Sequence, residues 1–127
     1  MYNHDFRDYK KRKLSASDGG RGIKVVATAS PGTLIHDALS SAAQNEWDEV
    51  WIRAINTSGS AVKLTIQWGG TTDPDDQVEI TIPGEDGFHD VIVGHVLQNG
   101  KQVRAFAATA NVLVLHGFVN RYELTQS

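Results

Sequence analysis

The chain has 127 residues, 40% of them hydrophobic and 21% charged, with a net charge of −3 and no cysteine. That length suits one domain with a real core. The composition excludes a disulfide framework, thiolate metal sites and cysteine nucleophiles. No apolar run approaches the ~20 residues that cross a bilayer, and the charged N-terminus has no apolar stretch behind it to act as a signal peptide.

Residues 1–21, MYNHDFRDYKKRKLSASDGGR, hold six Lys and Arg against three Asp, a local charge of +3 that leaves −6 for the remainder. No strand or helix period is sustained there. Tyr2, Phe6 and Tyr9 are interleaved with charges, and Ser15–Gly20 has the composition of a flexible joint. The expectation is a basic arm outside a globular domain of residues 22–127. Tyr2, Phe6, Arg7, Tyr9, Lys10, Lys11, Arg12 and Lys13 would dock it on an acidic partner surface. A short basic run in front of an acidic body argues against nucleic acid as that partner.

Ile23–Ala29 is β-rich and starts the core. Ser30-Pro31-Gly32 turns, and Thr33–His36 resumes an extended pattern. Asp37–Gln44 reads as a loop with one helical turn. Glu49–Gly70 then offers two arms. Val50, Ile52 and Ala54 alternate with Trp51, Arg53 and Ile55, and Val62, Leu64, Ile66 and Trp68 alternate with Lys63, Thr65 and Gln67. Alternate side chains of a strand share a face, so each arm has an apolar side. The five residues Asn56–Ser60 between the arms predict a hairpin.

Gln77–Ile82 alternates with Val78, Ile80 and Ile82 inward. Phe88–Val93 follows, with Val91 and Val93 on one face. Asn99-Gly100 is the strongest two-residue hairpin signal. Lys101–Ala107 alternates through Val103, Ala105 and Ala107. The long run Val112–Tyr122 closes the fold, with Gly117 marking a bulge or a close backbone approach. About eight short strands with turns every 8–12 residues predict an all-β antiparallel β-sandwich, jelly-roll-like, behind the N-terminal arm.

Chemistry is sparse. His4, His36, His89, His95 and His116 form no HxH or HExxH spacing, no serine lies in a GxSxG elbow, and GGTTDPDDQ does not match a phosphate-binding loop. Asp73, Asp75 and Asp76, with Glu79 near them, are the one candidate ion site. Gln77 stands where a calcium loop needs glycine, and turn composition explains the cluster equally well. No enzyme activity and no cofactor are expected. Trp47, Trp51 and Trp68 suit core or interface positions, or a sugar platform; Trp68 shares its face with the apolar residues of its arm.

Three segments carry a family resemblance: GTLIHDAL at 32–39, DEVWIRAINTSGSAVKLTIQWGGTTDPDD at 48–76 and VRAFAATANVLVLHGFVNR at 103–121. They resemble a group of small virion structural proteins of tailed bacteriophages, over roughly residues 27 to 122. The resemblance implies a non-enzymatic β-sandwich on the capsid surface, made in the host cytoplasm. A capsid decoration, or cement, protein is the assignment within that group, and a tail, baseplate or head–tail adaptor protein is the alternative; apart from the resemblance, the three tryptophans suggest a carbohydrate-binding module as a second alternative. The implied partners are the major capsid protein and further copies of the chain, as dimer or trimer, with no membrane. Trp51, Phe106 and Phe118 are the residues expected at a subunit interface.

Overall fold

The computed structural model describes residues 5–126, with side chains from 9 to 124. Those residues form nine strands and no helix. They are β1 (Asp5–Lys13), β2 (Ile23–Lys24), β3 (Thr33–Asp37), β4 (Trp47–Asn56), β5 (Val62–Trp68), β6 (Gln77–Ile82), β7 (His89–Leu97), β8 (Gln102–Ala107) and β9 (Leu113–Gln126). One sheet has the order β1-β9-β4-β7, with β2 beside β9 on the same side as β1; the other has the order β3-β8-β5-β6. Every pairing is antiparallel. From β2 onward the chain changes sheet at each connection except β5 to β6. That is the strand order of a jelly roll, a β-sandwich of two four-stranded layers, here with β1 added at one edge.

The core follows from the alternation. Val50, Ile52, Ala54, Leu113, Leu115 and Val119 face inward from one sheet; Ile35, Leu64, Ile66, Val103 and Ala105 meet them from the other. Each fully buried aliphatic side chain contributes about 1.5–3 kcal/mol through removal from water.

Several expectations are corrected. The Glu49–Gly70 stretch is not a hairpin: β4 lies in one sheet and β5 in the other, so the loop arches across the sandwich edge. A local pattern of two half-apolar arms fits both geometries, because in either case the apolar sides end up in one core. Asn56, 1% exposed, holds the arch. Its Nδ2 donates to the carbonyls of Ser60 (2.8 Å) and Ile82 (2.9 Å), and its Oδ1 accepts from the Ser58 amide and hydroxyl.

Asn99-Gly100 does turn with positive φ at both residues, 63° and 66°, and Lys101 N donates to Gln98 O. Its arms, β7 and β8, nevertheless go to opposite sheets. Asn99 N and Gly100 N bond instead to the carbonyls of Ser41 and Leu39, which belong to the segment expected to contain a helical turn and which form a loop.

In β7 the expected parity is broken. Irregularities in the β4–β7 register, between Val50 and Trp51 and between Ile52 and Arg53, rotate the strand. Ile92 is buried, and Val93 is 52% exposed. In β6, Ile82 is buried while Val78 at the far end is exposed.

The N-terminal segment is the largest departure. The arm was expected to stand free up to residue 21, but Asp5–Lys13 pairs with β9 along nine positions, from Asp5↔Gln126 to Lys13↔Phe118. β9 is 14 residues long and outreaches β4, whose pairing stops at Trp47↔Tyr122; β1 supplies the ladder its edge lacks. Leu14, 1% exposed, then plugs into the core. Ser15 and Ala16 bond to β3: Ser15 N donates to His36 Nδ1 (2.9 Å), Asp37 N to Ser15 Oγ (2.7 Å) and Ala16 N to Ile35 O (3.2 Å).

Candidate functional site: an aromatic face beside a cationic edge

The residues of β4 that alternate with its buried ones all lie on the outer face of the larger sheet. Register pairs them with β9: Trp47 with Tyr122, Glu49 with Asn120, Trp51 with Phe118 and Arg53 with His116. On the far side of β9, Tyr9 pairs with Tyr122 and Lys11 with Asn120. The result is a patch of half-buried rings. Trp47 stacks on Tyr122 (5.1 Å between centroids), Tyr9 meets Tyr122 edge-on (4.1 Å), Trp51 and Phe118 lie 11° from parallel at 6.1 Å, and Lys11 Nζ sits 4.4 Å above Phe118. Such cross-strand ring pairs stabilise a sheet and leave flat apolar area exposed.

Glu49 is the centre of this face. Its Oε1 accepts from Tyr9 OH (2.9 Å), Trp51 Nε1 (2.9 Å) and Asn120 Nδ2 (3.0 Å). Bonds from Asn120 and Trp51 above all hold its carboxyl below the usual range, so it stays ionised. Partial burial and the bond to Glu49 push the Tyr9 hydroxyl up to about 12. Next to Trp51 and Phe118 the face opens into a groove of about 540 Å³. Its far wall is Phe88, edge-on to His116, and an exposed Arg53–Asp90 ion pair lines it. Gly117 also lines it, because β9 passes so close to the Trp51 carbonyl that no Cβ fits there. That bears out the close approach expected at Gly117.

A second polar group lies inside. Asp48, fully buried, accepts from His36 Nε2 (2.7 Å), from Arg121 Nε (2.7 Å) and Nη2 (3.0 Å), and from Leu39 N (3.1 Å). Burial alone would raise its pKa; the bonds from His36 and Arg121 outweigh burial and bring it down to about 2. Because His36 Nδ1 accepts the Ser15 amide, its proton resides on Nε2, and neither nitrogen is left to act on a substrate. The cluster ties β3, β4 and β9 together and seats the turn after β1.

The predicted site residues separate as follows. Trp51 and Phe118 come together as an exposed ring pair, joined by Tyr9 and Lys11. Lys10, Arg12 and Lys13 line the outer edge of the same sheet. Phe106 does not join them; it lies on β8, opposite Thr65 of the other sheet. Tyr2 is outside the described residues, and Phe6 and Arg7 are described only as backbone positions of β1. Asp76 turns back to accept the Thr72 amide (2.9 Å), and among the described residues no three His, Asp or Glu converge on a common point. Sequence reasoning missed Glu49, Asn120, Tyr122, Phe88 and His116. The available signal was the run Trp47, Glu49, Trp51, Arg53 at period two, opposite a buried face.

Comparison with protein-family models, with curated proteins and with solved structures returned no match.

Proposed function

We propose that the chain is a non-enzymatic structural protein of a tailed-bacteriophage particle, a decoration protein that binds the shell of major capsid protein and stabilises it. The observation that supports this most is the outer face of the larger sheet. A rigid jelly roll presents Tyr9, Trp51, Phe118 and Tyr122 as half-buried rings over a hydrogen-bonded carboxylate, next to a cationic edge. Rings on a flat, pre-organised surface are the composition of an interface core, with the charges at its rim. The motif resemblance points the same way. The buried ionisable residues Asp48 and His36 are committed to holding strands together, which fits a passive building block. Many identical copies on a shell turn a modest contact into a strong one.

The test is to mix the protein with shells that lack it, and to measure co-sedimentation and shell melting. Trp51→Ala and Phe118→Ala should each weaken binding by roughly 30-fold, as truncation of a central aromatic anchor costs about 2 kcal/mol. Absence of binding and of stabilisation by the unaltered protein removes the proposal.

The groove beside Trp51 favours a second reading, a carbohydrate-binding module. Trp51, Phe88 and Phe118 would face a sugar ring, and the Arg53–Asp90 pair would meet its hydroxyls. A glycan array without signal above background disposes of it.

A further inference from the structure

We infer that the free edge of β1 is a receptor for an extended, carboxylate-bearing peptide segment, which adds to the sheet as a further strand. The inference relies on the shell reading only for which protein carries that segment.

The first observation is the edge itself. β1 has β9 on one side and, among the described residues, no strand on the other. Residues 9–13 are all exposed. An unpaired strand edge presents a row of backbone donors and acceptors, a template for strand addition. The second observation is charge. Lys10, Lys11, Arg12 and Lys13 are consecutive, so cations project from both faces of the edge. A second copy pairing with residues 10–13 overlapped would bring cations against cations, and the antiparallel register that sets Asp5 against Lys13 and Asp8 against Lys10 still leaves Lys11 facing Arg7 and Arg12 without an acid. An acidic strand meets opposite charge on both faces.

The third observation is a groove of about 520 Å³ where β1 ends, lined by Arg12, Lys13, Ser15, Ser17, His36 and Arg121. Asp48 pairs with Arg121 from the buried side, and Ser15 Oγ, an acceptor for the Asp37 amide, keeps its own hydrogen to donate. Ser17 Oγ is spent on the Arg21 carbonyl (2.8 Å), so Arg12, Lys13 and the Ser15 hydroxyl are the groups at the end of the free edge that can take a carboxylate side chain from the segment that the edge holds. Asp5 and Asp8 lie at the other end of β1 and set the direction of the charge gradient along it.

Nucleic acid fits less well. It has no amide ladder to match a strand edge.

The experiment uses the full chain. Three probes are titrated at low salt: a capped synthetic peptide of alternating glutamate and valine, its glutamine–valine counterpart, and oligothymidylate. Amide hydrogen exchange is read at residues 9–13, and affinity by calorimetry. The glutamate peptide should slow exchange along β1 and bind roughly tenfold more tightly than the glutamine peptide, an advantage that added salt erodes. Arg12→Glu/Lys13→Glu should abolish the effect, and the milder Arg12→Gln/Lys13→Gln should reduce it with the same melting temperature as the parent. No slowing at millimolar glutamate peptide overturns the inference, as does equal binding of the glutamine peptide or equal slowing by oligothymidylate. Shell binding is measured in parallel. A protein that takes the peptide and ignores shells keeps this inference and loses the proposed function. One that binds shells without β1 protection does the reverse.

Discussion

Replacing Asp48 tests the internal logic of the fold. Asp48→Ala removes the acceptor of four hydrogen bonds and leaves the buried His36 Nε2 and the Leu39 amide without their partner. Breaking a buried ion pair by deleting one partner costs about 3–5 kcal/mol, a large share of the stability of a domain this size. Asp48→Asn keeps the shape and removes the charge. The part due to ionisation follows from the carboxyl being held at about 2 against 3.8 when free, which is worth about 2 kcal/mol. The folded-state pKa is the lower one, so this stabilisation is complete above the free value and disappears as pH falls through about 2. Urea unfolding followed by tryptophan fluorescence should therefore show a gap between parent and Asp48→Asn that is widest near neutrality and closes over about pH 4 to 2. The carboxyls of Glu46 and Glu49 are also held low, but both proteins share them, so the difference isolates Asp48. A gap that stays constant with pH, or a loss below about 1 kcal/mol in Asp48→Ala, refutes the assigned role.

Much of the sandwich is legible before the structure. Val62, Leu64 and Ile66 on β5, and Val103, Ala105 and Ala107 on β8, are buried as their alternation predicts. The choice of sheet is not legible, because Asn56–Ser60 and Asn99-Gly100 turn the chain in the same way whether the strands pair or part. What separates the cases is buried Asn56 bonding to Ile82, a contact with a strand outside the expected hairpin. β1 escapes for another reason. Its residues 9–13 are exposed, so no apolar period marks it; backbone pairing, the contacts of Tyr9 and Lys11 with the β4–β9 face and the plug Leu14 hold it in place. The aromatic face depends on register between strands far apart in sequence. Trp51 could be singled out, but Phe118 as its neighbour and Phe106 as a stranger required the pairing of β4 with β9.

That fusion of β1 to the sandwich makes Leu14→Ala informative. It should destabilise the whole domain by about 2–4 kcal/mol in denaturant unfolding, whereas a free arm would leave stability unchanged. Asn56→Ala takes the Asn56 partner from the Ile82 carbonyl and the Ser58 amide, while Ser58 Oγ still reaches the Ser60 carbonyl (2.9 Å), and should lower stability by about 2 kcal/mol, read as a shifted urea midpoint at constant m. Gly117→Ala completes the set, paired with a control. A Cβ at Gly117 would overlap the Trp51 carbonyl oxygen, and β9 cannot step aside because β1, β2 and β4 all pair with it. A Cβ at Gly87 meets nothing within 4 Å, so Gly87→Ala has only the strain of φ +70° to bear. The steric clash should cost about 2–3 kcal/mol, and the strained loop position about 1 kcal/mol. Calorimetric melting should therefore rank Gly117→Ala well below Gly87→Ala, by roughly 5 °C for a domain of this length. If the two melt together, β9 has room against β4 at Ile52, and the close approach that bares the groove beside Trp51 is not a fixed feature of the fold.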